Sequence, residues 1–295
     1  MSDFQGLPTH RLTNGLISLD VLTGAGPRIV RLAAFGKENL FADIPASVST
    51  PYGEYHYRGG HRLWHAPEAL PRTYIPDDGG VSIELLTNGV RMTGPVETGT
   101  GITKIIEIHL LAGRPVVIVQ HSLRNDGPWP VELAPWAVTM FRLGGVVILP
   151  QPVGAPSQNS FINNRILALW PYSKINDPRL LLRDDFILIH AFPHPSPFKI
   201  GYFNPNGWMA YWLDGVLYRK TYSVFSGAAY PDGGCNAESY CNDQFVELES
   251  LGPLIRLGVG EAAYLRETWE LYSGLGVSYL SDEICEVLQE LGVVV

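Results

Sequence analysis

Apolar and polar residues alternate along most of the chain, and this alternation is the main structural signal in the sequence. Successive side chains of a β-strand point to opposite faces, so a period of two predicts strands with one buried face. In the segment 81–93 the alternation is interrupted by Asn88-Gly89, a pair that favours the positive φ angles of a tight hairpin turn. Further strands are predicted at 16–22, 102–110, 116–123, 131–143, 186–191, 208–213, 216–220, 245–250 and 262–272.

One segment has the spacing of an amphipathic helix, and it lies near the C-terminus. An i, i+3, i+4, i+7 apolar stripe begins at Ile284, with Ser281 suited to the N-cap and Gly292 suited to the end of the helix. The segment predicts a helix that packs on an edge of the sheets. The stretch 151–164 has the weakest strand pattern and is predicted to be a loop over one face.

Short strands that follow one another without intervening helices indicate antiparallel sheets rather than an α/β fold. The sequence contains no internal repeat and no shift in composition that would mark a domain boundary. We therefore predict an all-β protein, a large antiparallel β-sandwich with one C-terminal helix, in which residues 1–295 form a single domain.

Composition and charge exclude several classes of partner. The chain has 46% hydrophobic residues, a net charge of −8 and no cluster of Lys and Arg, which argues against nucleic-acid binding. Its apolar runs are far shorter than the roughly 20 residues of a membrane-spanning helix, and the N-terminus does not resemble a signal peptide. Three cysteines without a Cys-x-x-Cys pattern indicate free thiols, and we expect a cytoplasmic protein.

The sequence lacks the motifs of nucleotide-dependent enzymes and of serine hydrolases, which argues against both classes. It contains neither a Gly-x-x-x-x-Gly-Lys-Ser/Thr phosphate loop nor a Gly-x-Ser-x-Gly nucleophile elbow. His61 and His65 have the i, i+4 spacing of zinc ligands on a helix, as do His190 and His194, but prolines next to both pairs argue against a helix. We expect no cofactor and no zinc, while a hard cation held by loop carboxylates stays open.

Three blocks of sequence together resemble the galactose mutarotase-like superfamily, close to the aldose-epimerase-like proteins within it. They are GGHRLWHAPE at 59–68, NDG and PVELAPWAVT within 125–139, and FVELESLGPL at 245–254 with ETWEL at 267–271. The blocks fall in the order and spacing of that fold, so the resemblance covers most of the chain. It implies a β-sandwich with a groove for a small carbohydrate on one concave face. In aldose epimerases, a Glu takes the proton of the anomeric hydroxyl, a His protonates the ring oxygen, and an Arg near the first block holds the sugar.

Two carboxylates in the third block are candidates for the base. Glu247 and Glu249 lie two apart on an alternating strand, so both point to one face. Mutual repulsion and burial would raise the pKa of at least one of them, and a base near neutral pH suits proton abstraction from a sugar hydroxyl. The resemblance favours Glu249 as the base; a solvated polar face of the strand is the alternative.

The remaining candidates would hold the sugar. The planar guanidinium of Arg62 can donate to two hydroxyls, and the preceding Gly59-Gly60 would let the backbone approach a ligand closely; a structural ion pair of Arg62 is the alternative. Aromatic faces pack against the apolar face of a pyranose. Trp64 and Trp136 are therefore candidate sugar contacts. Glu247, beside Glu249, and Lys199, just before a segment rich in Tyr and Trp, are candidates as polar contacts. The alternatives are core packing for the tryptophans and a solvated surface position for Lys199.

One position departs from the pattern of the family. Val138 stands where the resemblance places the acid His, and a valine cannot donate a proton. Either another imidazole, from His61, His65 or His194, approaches from a neighbouring loop, or mutarotase chemistry is absent. Two functions therefore stay open: an aldose 1-epimerase-like isomerase with Glu249 as base and His61 as acid, or a non-catalytic carbohydrate-binding protein on the same fold. Glycoside cleavage fits poorly, because its two carboxylates stand on opposite sides of the scissile bond.

Overall fold

Antiparallel strands make up nearly all of the computed structural model, which describes residues 3–152, 161, 163–274, 286–288 and 291. The strands are β1 Asp3–Phe4, β2 Leu7–Thr13, β3 Ile17–Leu22, β4 Arg28–Ala34, β5 Asp43–Thr50, β6 Gly53–Ala66, β7 Ser82–Leu86, β8 Gly89–Val96, β9 Ile102–Leu110, β10 Val116–Asn125, β11 Val131–Arg142, β12 Val146–Pro150, β13 Leu167–Leu169, β14 Leu180–Leu182, β15 Phe186–His190, β16 Phe198–Tyr202, β17 Trp208–Leu213, β18 Val216–Tyr222, β19 Ala237–Cys241, β20 Phe245–Leu251, β21 Ile255–Leu257 and β22 Ala262–Ser273. Arg72–Tyr74 forms a 3₁₀ turn, and a short helical turn covers Pro231–Gly234.

The strands form two sheets that pack face to face. The larger sheet has the order β1-β2-β3-β4-β6-β11-β20-β19-β16-β13, with β5 paired to β6 and β21 paired to β11. The second sheet has the order β14-β15-β12-β17-β18-β22-β10-β9-β8-β7. The predicted fold class, a large antiparallel β-sandwich, is confirmed. That all 295 residues form one domain stays a prediction.

The alternation in the sequence corresponds to the two faces of the larger sheet. On β20, Val246 and Leu248 belong to the main apolar core between the sheets, whereas Glu247 and Glu249 point to the other face. The same division on β11 places Ala137 in the core and Trp136 outside it. The outer face of the larger sheet therefore carries three of the candidate residues, Glu247, Glu249 and Trp136.

The hairpin predicted at Asn88-Gly89 is present, but Asn88 alone supplies a positive φ, because Gly89 is already the first residue of β8. Asn88 has a φ of 58°, and Leu86 pairs with Gly89 across the β7–β8 turn. The two glycines before His61 have a different role from the one expected. A Cβ on Gly60 would lie 2.2 Å from the carbonyl oxygen of Ile29, and one on Gly59 would lie 2.0 Å from that of Ala42. These glycines admit the neighbouring protein backbone, not a ligand.

Two predicted features fall mainly outside the described residues. Of the predicted C-terminal helix, residues 286–288 are helical, and Leu288 belongs to an apolar cluster with residues of the second sheet that include Val146, Ile148 and Trp212. Most of the predicted loop at 151–164 is likewise outside them. None of the helical segments in the described part of the chain could span a lipid bilayer.

Candidate functional site

A cavity of about 380 Å³ lies on the outer face of the larger sheet. Central strands of the sheet form its floor, while β5 and the loops after β6 and β13 contribute to its walls. Its lining is rich in aromatic side chains: Tyr57, Trp64, Tyr74, Trp136, Tyr172, Tyr240 and Phe245. Its charged side chains are Arg62, Glu68, Lys199 and Glu247. All five residues predicted to contact a sugar thus line this one cavity: Arg62, Trp64, Trp136, Lys199 and Glu247.

Strand register brings the distant sequence blocks together at this floor. On the central strand β11, Val138 pairs with Arg62 of β6 on one side and with Glu249 of β20 on the other. Beyond β20, Glu238 of β19 lies directly opposite Glu249. This row of cross-strand neighbours explains why residues almost 190 positions apart in the chain meet at one site.

Arg62 is buried at the cavity wall, with 3% of its surface exposed. Its guanidinium carbon lies 4.0 Å from the centre of the Trp64 ring, and Nη2 donates a hydrogen bond to Glu247 Oε1 over 3.0 Å. Nε and Nη1 have no hydrogen-bond partner. A buried donor without a partner is costly. Arg62 therefore forms the ion pair that was the structural alternative, yet it also keeps donors that a ligand could satisfy.

Glu247 is the buried carboxyl group at the cavity wall, whereas Glu68 is exposed. Burial, together with the negative charge of Glu249, raises the pKa of Glu247 to about 7, although Arg62 opposes the shift. A carboxyl group with such a pKa exchanges its proton near neutral pH, as a general acid or base must. The raised pKa of Glu247 agrees with the expectation that burial and mutual repulsion raise the pKa of at least one of Glu247 and Glu249.

Glu249 lies beneath the wall and is fully buried. Its Oε2 accepts hydrogen bonds from Trp136 Nε1 over 2.8 Å and from Lys199 Nζ over 2.9 Å, while Oε1 has no partner. The sequence favours Glu249 over Glu247 as the base, but the structure places Glu247 at the cavity. The covering side chain of Lys199 comes from a strand 50 residues away, and the sequence pattern does not show that contact.

Lys199 is not the solvated surface lysine that was one alternative, since only 4% of its surface is exposed. Nζ lies 2.8 Å from Glu238 Oε2 and 2.9 Å from Glu249 Oε2, with the rings of Trp136 and Trp170 at 4.8 and 4.6 Å. Burial alone would lower the pKa of Lys199, but the two carboxylates outweigh it and raise the pKa well above its ordinary value. Lys199 is a permanent cation that lines the cavity.

Sequence reasoning missed Glu238. It is fully buried next to Lys199, and burial raises its pKa well above the ordinary value for a carboxyl group. Its segment, 237–241, alternates weakly and contains no motif. The one available signal was its place on a short strand just before the third sequence block.

The histidines lie away from the cavity. His61 precedes Arg62 on β6 and therefore points into the sandwich, where its Nε2 lies 2.7 Å from His121 Nε2. His65 contacts Glu97, and His194 contacts the backbone of Ser196. Among the described residues, no imidazole lines the cavity, so none of the three histidines takes the place that Val138 leaves without a proton donor.

A second polar cluster lies inside the sandwich. His61, His121 and Glu267 offer ligand atoms within 4.8 Å of one another, a spacing that could hold a metal ion. However, Lys220 Nζ lies 3.0 Å from Glu267 Oε1, and this ion pair holds the pKa of Glu267 at about 2 against the effect of burial. The buried ammonium already balances the carboxylate charge.

No family model and no curated protein matches the sequence, whereas the fold has clear structural relatives. A galactose mutarotase-like protein from Lactobacillus casei superposes with a TM-score of 0.58 at 10% identity, over 90% of this chain and 100% of that one. A galactose mutarotase related enzyme from Lactobacillus acidophilus gives 0.54 at 10% identity, over 92% and 100%. A candidate aldose 1-epimerase from Klebsiella pneumoniae gives 0.58 at 10% identity, over 94% and 80%. The likeness shows the galactose mutarotase-like fold, and the predicted resemblance is confirmed at that level.

Proposed function

We propose that the protein binds a small carbohydrate in the cavity on its outer face. The main support for this proposal is the state of Arg62. Its guanidinium is buried and stacked on Trp64, and two of its nitrogens have no hydrogen-bond partner. A sugar combines hydroxyl oxygens, which accept from such donors, with apolar C–H faces that pack on aromatic rings. The cavity of about 380 Å³ falls in the range of small-molecule sites.

Arg62→Met should reveal whether the cavity is the binding site. The variant keeps the apolar stem over Trp64 and removes the donors, so affinity for a sugar that wild type binds should fall at least about tenfold. Isothermal titration calorimetry against a panel of aldoses, polyols and sugar acids measures this. Arg256 is exposed on β21, and Arg256→Met is the matched control. Equal loss in both variants, or wild type that binds no member of the panel, would count against the proposal.

A second candidate function, the interconversion of sugar anomers, is favoured by Glu247. A protonated carboxyl group can donate its proton to the ring oxygen while its other oxygen accepts the proton of the anomeric hydroxyl. The bond between the anomeric carbon and the ring oxygen then breaks, and the aldehyde recloses on its other face. Glu247, with a pKa of about 7 at the cavity wall, has this proton available near neutral pH. This route needs no imidazole and is compatible with Val138.

NMR saturation transfer between α and β anomers tests this chemistry. We expect wild type to accelerate exchange, Glu247→Gln to lose roughly 10²-fold or more of the acceleration, and the wild-type rate to fall above pH 7 as Glu247 loses its proton. A larger loss in Glu249→Gln, with folding intact by circular dichroism, would assign the chemistry to Glu249, the residue that the sequence favours. Sugar binding without acceleration would leave a non-catalytic carbohydrate-binding protein.

We further propose a cytoplasmic location. The free cysteines Cys235 and Cys241 are both buried, and free thiols are typical of reducing compartments. Fractionation of cells that express the tagged protein would test this location.

A further inference from the structure

We propose that the ligand of the cavity is a sugar acid, whose carboxylate binds Arg62 while Glu247 takes up a proton. This inference rests on the proposed sugar-binding function and names the substrate class. Two features of the cavity support it: the incomplete pairing of Arg62 and the position of Glu247 beside it.

The two cations at the cavity are paired differently. Lys199 contacts the carboxyl groups of Glu238 and Glu249 and has its counter-charge in Glu249, so its charge is compensated within the protein. Arg62 has one hydrogen bond to one carboxylate, that of Glu247. Two of its nitrogens have no partner. Arg62 is therefore the cation whose pairing is incomplete.

A carboxylate matches what Arg62 lacks. The planar guanidinium presents its N–H groups in a rigid arrangement that fits the two oxygens of a carboxylate, and such charge-assisted hydrogen bonds are about twice as strong as neutral ones. A neutral hydroxyl would accept a hydrogen bond but would bring no counter-charge. Burial of Arg62 makes the difference between these two ligands larger, because solvent screens the charge little.

The surroundings of Glu247 explain how an anion can enter beside it. Arg62 and Tyr57 face it from β6, Tyr240 from β19 and Lys199 from β16, while Glu249 lies on its own strand. Its partner on β11, Met140, carries no charge. With a pKa of about 7, raised by burial and by Glu249, the carboxyl group is already about half protonated at pH 7. An incoming carboxylate adds a further negative charge, and Glu247 should then bind a proton instead of repelling the ligand.

Calorimetry of proton uptake tests the inference directly. Glucuronate, galacturonate and gluconate are titrated beside glucose and galactose at pH 8, each in two buffers of different ionisation enthalpy. We expect a sugar acid to bind at least about tenfold more tightly than its neutral counterpart, with nearly one proton taken up per ligand. Affinity for the acid should fall about tenfold per pH unit above pH 7, because one bound proton is linked to one bound ligand.

Variants separate this inference from the function on which it rests. Glu247→Gln should bind the sugar acid without proton uptake and with an affinity independent of pH, while the exposed Glu132→Gln should behave as wild type. Arg62→Met should lose the preference for the acid. Tighter binding of neutral aldoses, or proton uptake that persists in Glu247→Gln, would overturn the inference and leave sugar binding in place. If neither class of ligand binds, the proposed function fails as well.

Discussion

Burial and neighbouring charges together give each buried carboxyl group in and behind the cavity floor a different charge state. Glu247 exchanges its proton near neutral pH, Glu238 has a strongly raised pKa, and Glu267 in the interior is held ionised by Lys220. The sequence predicted the shared face of Glu247 and Glu249, because side-chain direction follows from alternation alone. It could not predict which of them lines the cavity, since that depends on the side chains of Trp136 and Lys199 from other strands.

The free energy of unfolding should depend on pH through the protonation of Glu247. Its pKa rises from an ordinary 4.5 to about 7 in the folded protein, so between these pH values the folded state holds a proton that the unfolded chain releases. Stability must therefore fall as pH rises through this interval. Between pH 5 and pH 8, wild type should lose roughly 2–3 kcal/mol more free energy of unfolding than Glu247→Gln. Urea titrations at both pH values measure the difference, and parallel losses in the two proteins would contradict it.

At the scale of elements, the site depends on how closely three strands approach one another. β6 carries Arg62, and the positive φ angles of Gly59 and Gly60, 83° and 68°, turn its backbone against β4 and the segment that leads into β5. Alternation predicted β11 and β20 to within a residue or two. It did not predict that β6 is 14 residues long, because Gly-Gly and the prolines around this block suggest a loop.

Gly60→Ala should therefore disturb both the fold and the site. A Cβ at this position meets backbone atoms of Ile29 and Val30 that cannot move independently of β4, and we expect a loss of at least about 3 kcal/mol in the free energy of unfolding. Gly36 also has a positive φ but has open space around it. Gly36→Ala is thus the matched control, with an expected loss of about 1–2 kcal/mol. Equal effects in thermal and urea unfolding would show that backbone strain, not the contact, decides the outcome.

At the scale of the whole molecule, a buried polar network joins the two sheets. Lys220 of β18 donates to Glu267 of β22 and to the carbonyl oxygen of Leu248 on β20. His61 of β6 meets His121 of β10 across the interior. The network lies directly behind the cavity floor. Leu248, whose carbonyl oxygen accepts from Lys220, stands between Glu247 and Glu249 on β20 and points to the interior face of the same strand. The sequence did not predict this network, because a single polar residue on a strand is as typical of a solvent-exposed position as of a buried one.

Breaking this network at one partner should be severe. Lys220→Met leaves the fully buried Glu267 without its cation, and we expect a loss of about 3–5 kcal/mol in the free energy of unfolding. The double variant Lys220→Met/Glu267→Gln removes both charges and should recover most of that loss. Chemical denaturation of the two variants beside wild type provides the measurement. A double variant no more stable than Lys220→Met would show that the charges are not the source of the effect.

Some residues that line the cavity lie on paired strands, and others lie in loops at its margin. Paired strands of the larger sheet supply Arg62, Glu247 and Lys199, whereas Glu68, Tyr172 and Gln244 stand outside the strands at the margin. Substitutions at the margin leave every ladder hydrogen bond of the scaffold intact. A combinatorial library restricted to these marginal positions should therefore yield well-folded descendants that differ in ligand choice, so the architecture offers a starting point for engineered receptors.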